Sequence, residues 1–254
     1  YMNILNISII IILIIIVLFV IFYFNTKGNI IYDKLLDTTA NNTEDQLQIK
    51  YSDNKASLAN PTNNFTLSLW FYIENWEVGQ SNKNILYMSD TITDPYSESS
   101  PSSDKPDLGI YMDKYKNELY INLKQKVEGD DAQRKKYEIK NIHIQRWNCL
   151  TISVDSHVLD AYMNGKLINS FIIESYFHKD HSNPNIYLGP IGDITSIQGY
   201  ITRIRYYTNY ISSQEAYNIY KEGISQSILT KMSNSYSLDF GLIENGTRKA
   251  GFRI

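Results

Sequence analysis

Between residues 65 and 207 the chain repeats one signal: short runs of alternating apolar and polar residues, bounded by turn-forming dipeptides. Phe65, Leu67, Leu69, Phe71 and Ile73 fall on one face, with Thr66, Ser68, Trp70 and Tyr72 on the other, the period of two of a strand with one side in a core. Similar runs follow at 84–88, 108–112, 118–123, 137–142, 149–155, 158–163, 166–173, 185–188 and 200–207. Asp94-Pro95, the Ser/Pro/Asp stretch 97–107, Gly129-Asp130-Asp131, Asn164-Gly165 and Asn183-Pro184 separate most of them. Many short strands with almost no helix predict an all-β sandwich. The runs flanking Asn164-Gly165 predict a hairpin, because both central positions of a type I′ turn need positive φ. One helix interrupts the pattern: Ser212 and Glu215 are spaced as a capping box, Ala216, Ile219 and Tyr220 continue it, and Gly223 can close it.

A second feature lies at the other extreme of polarity. Residues 4–24 contain only Asn6 and Ser8 as polar residues, and at about 1.5 Å per residue they span a hydrocarbon core of roughly 30 Å. A cleaved signal peptide has a shorter apolar region, a basic residue before it and small residues after it. Here no Lys or Arg precedes the run, and Phe22-Tyr23-Phe24-Asn25 offers no small-residue site. The expectation is an uncleaved single-pass transmembrane helix, residues 1–26, held in the lipid bilayer through 4–24. Lys27 and Lys34 favour a cytosolic domain by the positive-inside bias, and sequons at Asn41, Asn64 and Asn245 favour the lumenal side if occupied. Residues 27–60 read as a stalk with a first strand near 47–51, 61–224 as the folded domain and 225–254 as a C-terminal tail.

Several segments of the domain are similar to one family. Trp147-Asn148-Cys149-Leu150-Thr151-Ile152-Ser153-Val154-Asp155 followed by Tyr162-Met163-Asn164-Gly165 resembles the paired central strands of laminin-G-like, concanavalin A-like lectin/glucanase jelly rolls. Gly199 to Tyr207, then Ser212 to Gly223, resembles that family's late strand and short capped helix, and 65–73 its early strand. The likeness covers roughly residues 60–224. It implies a two-sheet antiparallel jelly-roll sandwich with one short helix, preceded here by the transmembrane helix. The family includes lectins, adhesion modules, hydrolases and structural pieces, so fold does not settle function.

The chemistry on this frame is sparse. A net charge of −3 argues against nucleic acid as a partner, and the lone Cys149 makes no internal disulfide, which favours a reducing compartment. Glycoside hydrolysis needs two carboxylates across a cleft. The hydrolase branch's Glu-x-Asp strand signature is missing, and Glu74 and Glu77 read as solvated loop residues, so no enzyme activity is expected. Asp90, Asp94, Asp104, Asp107, Asp130, Asp131 and Asp193 show no calcium-ligand spacing, and His178-Lys179-Asp180-His181 reads as a polar loop. No metal and no cofactor are expected. Trp147 is expected in the core and Trp76 in a loop, exposed at an interface. In the tail, Tyr236, Leu238 and Phe240 alternate with polar residues or glycine and predict a strand adding to a sheet edge, on a neighbouring protein or against residues 47–51 of the same chain. Arg248, Lys249 and Arg253 form a basic end suited to an acidic partner or anionic lipid.

These features point to a non-enzymatic, membrane-anchored structural or interaction protein. With 37 Ile, 25 Asn, 21 Tyr and 18 Lys against 6 Arg, the composition favours A/T-rich codons and suits a large DNA virus. The expected setting is a minor capsid protein of the virion inner membrane, its domain facing the capsid and docked on neighbouring structural proteins. The alternative is a cell-surface module that binds glycans in adhesion.

Overall fold

The structure is a computed structural model that describes residues 12–15, 29–33, 36–38, 47–49, 64–76, 79, 81–89, 106–126, 133–173, 176–177, 185–190, 195–224, 239–244 and 247–253. Its strands are β1 (Asn29–Tyr32), β2 (Leu36–Asp37), β3 (Leu47–Ile49), β4 (Phe65–Asn75), β5 (Lys83–Ser89), β6 (Leu108–Met112), β7 (Glu118–Lys126), β8 (Gln133–Lys140), β9 (Trp147–Asp155), β10 (Val158–Met163), β11 (Lys166–Ile172), β12 (Tyr176–Phe177), β13 (Asn185–Leu188), β14 (Gln198–Tyr207), β15 (Asp239–Glu244) and β16 (Thr247–Arg253). One sheet runs β1-β14-β4-β9-β10-β11 with β2 also on β14; the other runs β12-β7-β6-β5-β13-β3 with β8 on β7. Every ladder between these strands is antiparallel. The all-β, two-sheet expectation holds.

The inner faces meet in one core. Leu67, Leu69, Phe71 and Ile73 of β4 and Leu150, Ile152 and Val154 of β9 pack with Leu86 and Met88 of β5, Ile110 of β6 and Ile121 of β7. Trp147 has the parity of Cys149 and so falls on the outer face, partly buried, with Tyr72 at 5.5 Å between ring centroids and Tyr200 at 6.5 Å. It packs against the apolar cluster of that outer face rather than in the main core, where it was expected.

The one-sided reading of β4 also needs correction, because its outer face is buried as well. Trp70, Cys149 and Tyr162 form a second apolar cluster with Ile211, Ala216 and Ile219 of the helix Ser213–Lys221 and the segment leading into it. The polar outer positions satisfy one another: Thr151 Oγ1 donates to Ser68 Oγ at 2.9 Å, and Ser153 Oγ accepts from Thr66 Oγ1 at 3.2 Å and from Ile211 N at 2.9 Å. The helix is fixed at both ends. Ser212 and Glu215 close the capping box, and Glu222 at the far end holds two buried arginines, Arg205 by a direct hydrogen bond and Arg203 at 3.5 Å. Arg203 also meets Asp33 at 3.5 Å, at a bulge of β14 where its φ is +50°. Gly223 follows with φ +69°, the left-handed closing residue expected.

Burial pushes the Cys149 thiol up to about 11, against the weaker pull of Ser68, Thr151 and two arginines. The thiolate is the reactive form. Cys149 is therefore expected to resist a soluble maleimide at pH 8 in the folded chain and to label within minutes after denaturation, as followed by intact mass. Fast labelling of the folded chain would show that the helix does not cover this face.

At the termini, residues 12–15 are helical, and each of their four apolar side chains is more than half exposed. Among the described residues no helix is long and apolar enough to cross a membrane, and the rest of the 4–24 run lies outside them. Tyr236 and Leu238 also lie outside them. Phe240 is in β15, and Arg248, Lys249 and Arg253 are in β16. β15 pairs with β16, Phe240 opposite Phe252, while Leu47–Ile49 pairs with β13. Among the described residues the tail supplies both strands of one ladder, and neither of them pairs with Leu47–Ile49. The missed signal is Asn245-Gly246, the dipeptide that also marks the turn at 164–165.

Candidate binding groove

Among the described residues β11 ends the order of one sheet and β8 pairs only with β7 of the other, and the two strands face one another along one flank of the sandwich. Tyr137 of β8 meets Phe171 of β11 with ring centroids 4.9 Å apart, and Gln125 hydrogen-bonds the Tyr137 hydroxyl from beneath. The groove between the two strands has a volume of about 1190 Å³. Its end is formed by the Asn164-Gly165 turn and the helix residues Tyr217 and Tyr220.

That end is built firmly. Asn164 and Gly165 have φ of +53° and +74°, as the type I′ turn requires. Asn164 N donates to Cys149 O at 2.8 Å, and its side-chain oxygen accepts from Cys149 N at 2.9 Å. A Cβ on Gly165 would lie 2.9 Å from Tyr220 Cβ, so the glycine lets the turn seat on the helix. Tyr220 stacks on Trp70 at 5.6 Å, and Tyr217, 6.4 Å from Tyr220, presents its ring with 43% exposure.

Among the described residues the groove is bordered by Lys135, Lys136, Lys140, Lys166 and Glu138. On β8 these side chains divide by parity, Lys135 with Tyr137 on the inner face and Lys136, Glu138 and Lys140 on the outer one. Lys136 lies 3.8 Å from the centroid of the Tyr120 ring on the outer face of the sheet, and Lys140 sits 3.5 Å from Glu138. The exposed Tyr217 ring offers a stacking face to planar or ring-shaped ligands.

One carboxylate near the groove is held ionised. Glu118, on the strand beside Glu138, accepts a hydrogen bond from the Tyr120 hydroxyl at 2.8 Å. That bond, aided by Glu138, Lys116 and Lys140 and opposed by desolvation, holds Glu118 below the usual carboxylate range. A glycosidase needs one carboxyl raised toward neutrality instead. The outer face of the second sheet also carries tyrosines, but Tyr87 and Tyr187 are buried and stacked on each other at 4.8 Å. Beside them Tyr111 and Tyr120 tilt together at 5.5 Å, and burial, then Asp113, pushes the Tyr111 hydroxyl up to about 12.

Of the residues expected to matter from sequence, Trp76 is partly buried against the main core with Lys83 Nζ 4.9 Å from its ring centroid, rather than free in a loop. Asp107 is buried, backbone-paired with Met88 and Lys124; the other aspartates considered for calcium and the 178–181 stretch lie outside the described residues. Sequence reasoning missed Phe171, Lys166 and Tyr217. Each sits in an element it did predict, but Lys166 and Tyr217 are 51 positions apart, and only docking of the helix on the hairpin joins them.

A family model described as the concanavalin A-like lectin/glucanases superfamily matches residues 41–216. Among solved structures, the botulinum neurotoxin serotype D ligand binding domain in complex with N-acetylneuraminic acid has a TM-score of 0.52 at 14% identity, covering 76% of this chain and 42% of that one. The receptor binding domain of the botulinum neurotoxin C/D mosaic serotype gives 0.50 at 16% identity, over 76% and 43%. The chain thus spans about two fifths of the length of these structures, and at such identity the likeness is one of fold. No curated protein matches the sequence.

Proposed function

The chain belongs to the concanavalin A-like lectin/glucanases superfamily, and from that premise we propose that it is a non-catalytic glycan-binding module whose ligand lies between β8 and β11. The observation that carries this is Tyr217, an exposed ring held in place at the end of a large open groove. The apolar face of a sugar ring packs on such a surface while its hydroxyls reach Asn141, Asn169 and the lysines. The exposed apolar residues 12–15 belong to the segment that would hold the module at a membrane.

The test is binding of the full chain, in detergent micelles, to an immobilised panel of neutral and acidic oligosaccharides. Tyr217→Ala is expected to weaken capture about tenfold, some 1.4 kcal/mol, whereas Tyr115→Ala, which removes an exposed ring outside the groove, leaves it unchanged. A panel with no captured glycan, or a Tyr217→Ala variant that binds like the parent, overturns the proposal.

A second reading is the anchored structural role, a minor capsid protein of a virion inner membrane. The strand edges favour it, since among the described residues β8 pairs only with β7 and β11 only with β10, so that a strand from a neighbour could extend either sheet. Recovery of the protein from purified particles with crosslinks to β8 or β11 would support it.

A further inference from the structure

We propose that the outer face of the sheet containing β4, β9 and β14 carries a second site, separate from the groove, for a small quaternary ammonium ion. Three converging rings, Tyr72, Trp147 and Tyr200, receive the methylated cation, and the Glu74 carboxylate offsets its charge.

Strand register brings these residues together. Tyr72 of β4 lies opposite both Trp147 of β9 and Tyr200 of β14, and Tyr200 lies opposite Asp37 of β2. Residues directly opposite one another share a face, so the four side chains form one row, with Glu74 two residues beyond Tyr72 on the same side. The preceding row contains Trp70 and Cys149, which the helix covers to 6% and 1% exposure. That cover stops short of the aromatic row: Tyr72, Trp147 and Tyr200 are only partly buried, and Glu74 and Asp37 are exposed.

The rings converge rather than stand in line. Strands two apart in a sheet are separated by about 9.6 Å, yet the Trp147 and Tyr200 centroids are 6.5 Å apart, with Tyr72 at 5.5 Å from one and 6.1 Å from the other. A triangle with those sides has a centre about 3.5 Å from each corner. A cation resting about 4 Å above that centre is roughly 5 Å from all three rings, inside the reach of about 6 Å over which a ring attracts a cation.

The chemistry selects a methylated cation. Glu74 first, then Asp37, pushes the Tyr200 hydroxyl above its usual range, so the field of these carboxylates reaches the rings. A primary ammonium is strongly hydrated and loses that water against an aromatic face, whereas methyl groups lose little. A sugar packs on a flat face, and these rings are inclined to one another by 35°, 43° and 50°. Cross-strand aromatic pairs also stabilise a sheet. That role makes no use of a carboxylate, which makes Glu74 the residue that tells the two apart.

The experiment is equilibrium dialysis of the full chain in a polyoxyethylene detergent against radiolabelled choline, with unlabelled competitors. Tetramethylammonium should compete as well as choline, while ethanolamine and dimethylbutanol, the neutral carbon isostere of choline, should compete about tenfold more weakly. Glu74→Gln should weaken choline about fivefold and leave both dimethylbutanol and the melting temperature unchanged. Tyr72→Leu should abolish choline binding, and Trp147→Phe, which keeps a weaker ring, should retain part of it. Tyr217→Ala should leave it intact, since that ring belongs to the groove. Dimethylbutanol competing as well as choline would reduce the site to an apolar patch, and methyl glucoside displacing choline would make it a sugar platform; either overturns the assignment. So would Glu74→Gln binding choline like the parent, loss of choline in Tyr217→Ala, or no choline binding at all.

Discussion

Trp70→Ala is expected to cost about 3–5 kcal/mol of folding stability, the usual penalty for emptying a large aromatic site, as measured by denaturant unfolding of the full chain in detergent. Trp70 alternates with the main-core residues of β4, and a one-sided strand would leave it in solvent, where truncation costs under about 0.5 kcal/mol. The structure instead gives it 6% exposure, a stacked partner in Tyr220 and a place in the second cluster with Cys149, Tyr162 and the helix. Leu69→Ala, which empties a fully buried site on the opposite face, should cost about 2–5 kcal/mol. Similar losses for the two variants would mean that β4 is held from both sides. A Trp70→Ala chain as stable as the parent would mean that the helix does not dock, and the groove would then lose its end wall.

The second large effect comes from adding one methyl group. A Cβ on Gly199 would lie 1.8 Å from the carbonyl oxygen of Tyr72 and 2.8 Å from its carbon, both backbone atoms of the neighbouring strand β4. Backbone atoms cannot swing aside as a side chain can, so β14 and β4 must part where their register already shifts between Gln198 and Gly199. The loss extends to Thr38, whose N donates to Gly199 O at 2.8 Å and whose Oγ1 accepts from Gly199 N at 3.1 Å. Gly199→Ala should therefore destabilise by about 3 kcal/mol or more, at or above the upper end of ordinary overpacking. Gly79→Ala is the control: its added carbon meets nothing nearer than 3.5 Å, and it should stay within about 0.5 kcal/mol. If the two alanine variants unfold at the same denaturant concentration, the β4–β14 register is wrong.

Much of the sandwich follows from local rules that residues impose on themselves. Alternation placed β4, β9 and β10, because a strand's side chains must leave on opposite faces whatever surrounds them. Asn164-Gly165 specified its turn through two positive φ angles, and Ser212 with Glu215 specified the helix start through two hydrogen bonds within four residues. Asn245-Gly246, the same dipeptide, lies in sequence between β15 and β16.

What the sequence alone determined, then, is where the chain turns, which stretches extend and which residues share a face. It did not determine how many faces are buried. Trp70 and Trp147 have the same parity, yet Trp70 lies under the helix and Trp147 is only partly buried among outer-face tyrosines, a difference set by where a segment some 60 to 140 residues away comes to rest. The groove belongs to the same class. Lys135, Lys166 and Tyr217 are unremarkable in their own strands and helix, and they become one surface because two sheets close with their edges side by side. Long-range packing carries no local signature in sequence, since the free energy that selects it comes from apolar area buried between elements rather than from any element's own backbone preference.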